Sequence, residues 1–176
     1  MTQVVLSEYQ ADWSSLFHRA EVELAARLAP SSARIEHIGS TAVVGMSAKP
    51  VIDIMLGLVA LSDVESRIGG LKTLGYVYRP EYESELPERR YFVRPAGSTP
   101  RIHLHAVVAG SQIWERHLAF RDALRSDAAL ADEYSRLKRE LAAQHATDKA
   151  AYTEAKAPFI QRVLATQLPS GSHCAL

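Results

Sequence analysis

The spacing of apolar residues changes once along this chain, and that change limits its folds more than any other feature. As far as Gly110, apolar runs of strand length alternate with turn residues and two helical stretches; beyond it, apolar residues recur every three or four positions to Leu168. Neither an all-helical bundle nor a β-sandwich accommodates both halves. The pattern predicts an α+β fold, a mixed β-sheet with flanking helices and a helical C-terminal half packed against it. A length of 176 residues with a hydrophobic fraction of 47% suits one domain with a proper core. We assign that domain to residues 1–168, its sheet portion to about 1–110 and its helical portion to about 111–168, and expect a flexible tail at 169–176 (PSGSHCAL).

Local signals place the elements. Residues 13–28 (WSSLFHRAEVELAARL) carry Leu16, Ala20, Leu24 and Leu28 on one helical face, and Pro30-Ser31-Ser32 ends the run. Strands are expected at 34–38 and 51–59, then one helix across 61–76 opened by Ser62-Asp63, despite Gly69-Gly70. Residues 90–94 and 101–108 read as a hairpin joined by the turn residues 95–100. Three helices, at 111–125, 127–145 and 147–168, each begin at a small polar capping residue.

Composition excludes some functions. Lys plus Arg (20) equals Asp plus Glu (20), so no global field draws the chain to an anionic membrane, and sequence-specific nucleic-acid binding is not expected. A phosphate site must therefore be local. No apolar run approaches the roughly 20 residues that cross a bilayer, and the opening MTQVVLSEYQADW has no basic stretch followed by an apolar one. Only Cys174 could enter a disulfide, and it lies in the tail, so a reducing cytoplasm is the expected location.

The candidate chemistry begins at residues 35–56, IEHIGSTAVVGMSAKPVIDIML. Asp53 interrupts an apolar strand, sharing one face with Val51 and Met55 while Ile52, Ile54 and Leu56 share the other. An unpaired carboxylate buried there would cost several kcal/mol, so it needs a cation, N–H donors or solvent in a cleft. A strand-end Asp capping a turn is the plain alternative. Upstream, Gly39-Ser40-Thr41 breaks the chain directly after a strand, where backbone N–H groups and hydroxyls could hold a phosphate; by itself such a dipeptide is more often only a turn.

Taken together, Gly39-Ser40, twelve further residues and Asp53-Ile54 resemble the signature of the nucleotidyltransferase superfamily related to DNA polymerase beta. More narrowly, EHIGSTAVVGMSAKPVIDIM is similar to the core of the GrpB family (UPF0157), a branch of that superfamily. YQADW, RYFVR, RIHLHAVV, AFRDALR, EYSRLK and YTEAKAPFI extend the likeness over nearly the whole chain. The resemblance implies a nucleotidyltransferase-like mixed sheet, a Gly-Ser turn holding a nucleoside triphosphate, and Asp53 on a strand that presents acids to a divalent metal. It also brings the accessory role of GrpB-like domains that occur fused to dephospho-coenzyme A kinases.

Residue 55 departs from the superfamily pattern. Two acids on one strand face are needed to hold two ions about 4 Å apart, and the second position here is a thioether that does not hold Mg²⁺. Residues 101–108 offer His103 and His105 instead, projecting from one strand face. With Asp53 they form a candidate catalytic or metal set, unless the two merely bond to Tyr or acid side chains; His37, directly before the turn, is a further candidate for the set, and the favoured alternative for it is a buried histidine bonded to the Gly-Ser loop. Imidazole favours Mn²⁺, Zn²⁺, Ni²⁺ or Fe²⁺ over Mg²⁺. Lys49, Arg90, Arg101 and Arg121 are candidates for phosphate alongside Gly39, Ser40 and Thr41, although Arg121-Asp122 also suits a structural salt bridge. Arg136, Lys138 and Arg139 read as a solvated helix face, and Tyr134, Leu137, Leu141, Tyr152, Phe159 and Val163 as helix packing. Three readings follow: a metal-dependent nucleotidyltransferase, a nucleotide-binding module without chemistry, and an accessory domain. The partner is a small phosphorylated ligand or nucleotide, and a homo-oligomer is left open.

Overall fold

The computed structural model describes residues 4–29, 32–97 and 99–168. The expected tail with Cys174, and the Pro30-Ser31 part of the helix stop, lie outside the described residues. Helix α1 (Asp12–Leu28) buries Trp13, Leu16, Ala20, Leu24 and Leu28, the stripe its spacing predicts. Strands β1 (Arg34–Ile38) and β2 (Val51–Leu58) follow, with a 3-10 turn at Ser40–Ala42 between them. The expected helix across 61–76 is two short ones, α2 (Ser62–Glu65) and α3 (Ile68–Thr73). Between them the Ser66 hydroxyl and the Arg67 guanidinium both donate to the Asp63 carbonyl, in competition with the helical ladder. A two-residue strand that the sequence did not announce, β3 (Val77–Tyr78), leads to the expected hairpin of β4 (Arg89–Arg94) and β5 (Arg101–Val108).

Among the described residues these strands form one mixed sheet, in the order β1-β2-β5-β4-β3. β2 and β5 pair in parallel at its centre, and the other neighbours are antiparallel. One face, with Ile52, Ile54, Leu56, Ile102, Leu104 and Phe92, packs on α1, Val64 and Leu71 as the main core. Full burial of such a side chain contributes roughly 1.5–3 kcal/mol, so this layer dominates stability.

Helices α4 (Gln112–Ser126), α5 (Ala128–Gln144), α6 (Lys149–Glu154) and α7 (Ala157–Gln167) make the C-terminal half. Ser111, Asp127 and Asp148 cap the first three through their side chains. The single helix expected over 147–168 is broken before Pro158, which has no N–H to give and fits only the first turn of a helix. On the second face of the sheet, Ile38, Met55 and Val107 pack with Trp114 of α4. Gly57 makes that contact: a Cβ there would stand 2.5 Å from the Trp114 ring. Toward the other end of β2 this face opens into a cleft. None of the described helices is long and apolar enough to cross a membrane.

Candidate functional site

Asp53 is the register partner of His103, and Met55 that of His105, so parallel pairing sets both imidazoles on the acid's face. Nδ1 of His103 lies 3.2 Å from Oδ1 of Asp53, and Nε2 of His105 lies 3.8 Å from the same oxygen. Burial opposes ionisation of Asp53, but hydrogen bonding to His103 and His105 outweighs it and holds the carboxyl below the ordinary range. His105 is lowered in turn, by burial more than Asp53 raises it. The second carboxylate oxygen rests against Gly39, which has φ +72° and whose Cβ, if present, would be 2.6 Å from Oδ2. Only glycine satisfies both the dihedral and the approach.

Beyond Gly39, Ala42 and Val43 donate back to the Gly39 and Ser40 carbonyls. The N–H groups of Ser40 and Thr41, at the head of this turn, are not used by its bonds. The adjoining cleft, about 140 Å³, is lined by Ser40, Thr41, Lys49, Asp53, His103, Lys138, Tyr152 and Lys156 among others. Lys138 is a correction to the sequence reading: it is 2% exposed, not solvated, and donates to the Ser40 hydroxyl at 2.9 Å and to the Ser47 carbonyl. Burial, with Lys156 and Arg139 nearby, lowers it to about 7. Lys156, which sequence reasoning also passed over, stands at the break between α6 and α7 and is lowered to about 8 by burial and Lys49. Lys49 and Lys156 both lie over the Tyr152 ring, at 4.1 and 4.6 Å, so Tyr152 is a cleft wall as well as packing. A helical period alone would not have found these lysines. The absence of an acid three or four residues from Lys156 on its own helix was a faint signal.

Other candidates are elsewhere. His37 faces the opposite side of the sheet, paired with Ile54 and stacked on Phe17, and its Nε2 is 3.0 Å from the Thr41 hydroxyl. That hydroxyl donates to the Val51 carbonyl, so His37 braces the turn and is outside the acid–imidazole group. Burial lowers it to about 4. Arg90 also faces away, bound to Glu65 and the Pro87 carbonyl. Arg121 is occupied by Glu36 and Asp122 at 2.7 Å each and by the His37 carbonyl. It ties α4 to β1. Arg101 is exposed at the start of β5 and does not line the cleft. A larger cleft of about 500 Å³ lies along the same loop, lined by Tyr9, His37, Thr41, Val43, Leu124 and Arg125 among others.

The donor set suits one metal ion. Asp53, His103 and His105 each offer an atom within 4.8 Å of the others. Ligands about 2.1 Å from an ion stand roughly 3–3.5 Å apart, close to the separations seen here. A second ion has no acid at residue 55, because Met55 is fully buried against Ile38, Val107 and Trp114.

Comparison with known proteins bears on the whole chain. The model of the GrpB protein family matches residues 3–166. A UPF0157 protein of Halalkalibacterium halodurans is 34% identical over 161 residues, covering 92% of this chain and 80% of that one. The UPF0157 protein YqkA of Bacillus subtilis is 35% identical over 87% of this chain, which spans only 44% of YqkA. The crystal structure of the conserved protein GrpB from Enterococcus faecalis has the same fold, with TM-score 0.82 and 31% identity over 93% of this chain and 96% of that one. A cytoplasmic RNA terminal U-transferase is a much fainter likeness, at TM-score 0.37 and 8% identity over 78% of this chain and 42% of that one. Sequence, family model and fold agree over nearly the full length, and the chain belongs to the GrpB family.

Proposed function

We propose that this protein binds a nucleotide or other phosphorylated small molecule at the Gly39-Ser40-Thr41 turn, beside a divalent ion held by Asp53, His103 and His105, and that from a nucleoside triphosphate it transfers the nucleotidyl group, with pyrophosphate leaving. One observation carries the reading: three lysines from separate parts of the chain converge on the cleft that also holds the turn and the acid. In a chain of zero formal net charge, that clustering has to be answered locally, and an anion with several oxygens answers it. Lys138 orients the Ser40 hydroxyl, Lys49 and Lys156 lie over the Tyr152 ring of the same cleft, and Asp53 is held ionised by its imidazoles. When bound, a divalent ion supplies polarisation of a phosphoryl oxygen. The second reading is ligand binding without turnover, favoured by the burial of Met55 where a second carboxylate would stand.

Calorimetric titration with adenosine triphosphate and with pyrophosphate, each with Mn²⁺ or Mg²⁺, tests the binding. A charge-assisted contact is worth roughly 1.5–3 kcal/mol, so Lys138→Ala should weaken binding about 10- to 100-fold, and Ser40→Ala by less. No binding by the wild type at millimolar ligand would refute the reading. Pyrophosphate release then separates transfer from binding alone.

A further inference from the structure

We propose that His117 of α4 is a fourth donor to the ion assigned to Asp53, His103 and His105, an inference that rests on the metal reading above. Its ring centre is 6.4 Å from that of His105, with the planes 35° apart. An imidazole nitrogen lies about 1.1 Å from its ring centre and about 2.1 Å from an ion it binds, so two rings on one ion have centres at most about 6.4 Å apart. His117 stands at the limit of that reach, which is met with the two rings on opposite sides of the ion; it lies outside the group of donors already within 4.8 Å of one another, so its ring has to swing inward to close a tetrahedral site.

Its second nitrogen is already committed. The Nδ1–H of His117 donates to the Ile113 carbonyl at 2.8 Å, which leaves Nε2 as the bare nitrogen of the neutral ring. Ligating histidines are commonly held in this way, one N–H spent on a carbonyl so that the other nitrogen is fixed in tautomer and direction. His105 is set in the opposite sense: an Arg89 N–H addresses its Nδ1 at 3.4 Å, which places the ring proton on Nε2, toward Asp53. Until Arg89 turns aside, His117 is the better prepared of the two rings.

The position of α4 is fixed as well. Trp114, one turn before His117, is seated over Gly57 of the acid's own strand, and Arg121, one turn after it, is bonded to β1. The coordination that a second strand acid would have given from residue 55 comes instead from a helix of the C-terminal half. Three imidazoles with one carboxylate select Zn²⁺, Mn²⁺, Fe²⁺ or Ni²⁺ against Mg²⁺ more strongly than two do.

Titration of the protein with Zn²⁺ and with Co²⁺ at neutral pH, together with the visible spectrum of the Co²⁺ form, tests this in the wild type, His117→Ala and His105→Ala. Alanine on an exposed helical position leaves the fold intact, which circular dichroism checks. Loss of His117 should weaken metal binding at least tenfold and alter the intensity of the Co²⁺ bands, since the number of ligands changes. A His117→Ala protein with wild-type affinity and spectrum overturns the proposal while leaving the three-residue site standing. A wild type that takes up neither metal overturns both.

Discussion

Gly39 has no side chain, yet the arrangement around Asp53 depends on it. With φ +72° and 2.6 Å between a would-be Cβ and Oδ2 of Asp53, Gly39→Ala faces both backbone strain and a clash with the acid. We expect about 2–4 kcal/mol lost in chemical denaturation, together with weaker metal and anion binding, because the carboxylate is pushed from its place. A Gly39→Ala protein with full stability and full binding would show that the close approach is not needed. Gly39 was legible as the break directly after a strand, and Asp53 with the His103–His105 pair because strand alternation fixes which side chains share a face. For His37 the sequence left two readings, a further ligand or a buried histidine on the Gly-Ser loop, and its place is against the Thr41 hydroxyl of that loop: it is one position out of phase with the acid's face, and a single step along a strand changes the face.

At the scale of elements, strand signals travelled well and helix boundaries less so. β1 and β5 occupy the expected residues, since β-branched and apolar runs bounded by turn residues leave few alternatives. β3 was invisible, being two residues long and defined only by its pairing with β4. The breaks at Ser66-Arg67 and before Pro158 were missed because the apolar period runs through both. The second break matters to the site, as it puts Lys156 at a helix junction facing the cleft. The α4–β2 contact makes a further prediction. Gly57→Ala places a Cβ 2.5 Å from the Trp114 ring, and overpacking of this kind typically costs 1–3 kcal/mol, so a lower midpoint in urea is expected. Because α4 carries His117 and Arg121, metal affinity should fall with it; unchanged stability would mean the indole moves aside freely.

At the scale of the molecule, the cleft exists only where the helical half closes over the open end of the sheet. Lys138 and Lys156 come from that half, and burial there lowers them to about 7 and about 8, against 10.5 for a free lysine. Their sign is definite. Between about 7 and 10.5 the unfolded chain binds more protons than the folded one, so stability of the free protein should rise with pH across that window. An anion in the cleft favours the charged lysines, so its binding near pH 8 should take up on the order of one proton. Calorimetry of phosphate or pyrophosphate binding in buffers of different ionisation enthalpy measures this directly; proton release, or none, would mean the lysines do not meet the ligand. The sequence by itself determined the division into sheet and helical halves, the central strands, and the acid with its two imidazoles, because each of these depends on short-range period and turn chemistry. Only the tertiary structure decided which cations face that acid. A lysine on a helix looks the same whether water or a neighbouring strand covers it, and Lys138 is made a buried partner of Ser40 by a contact between residues 98 positions apart.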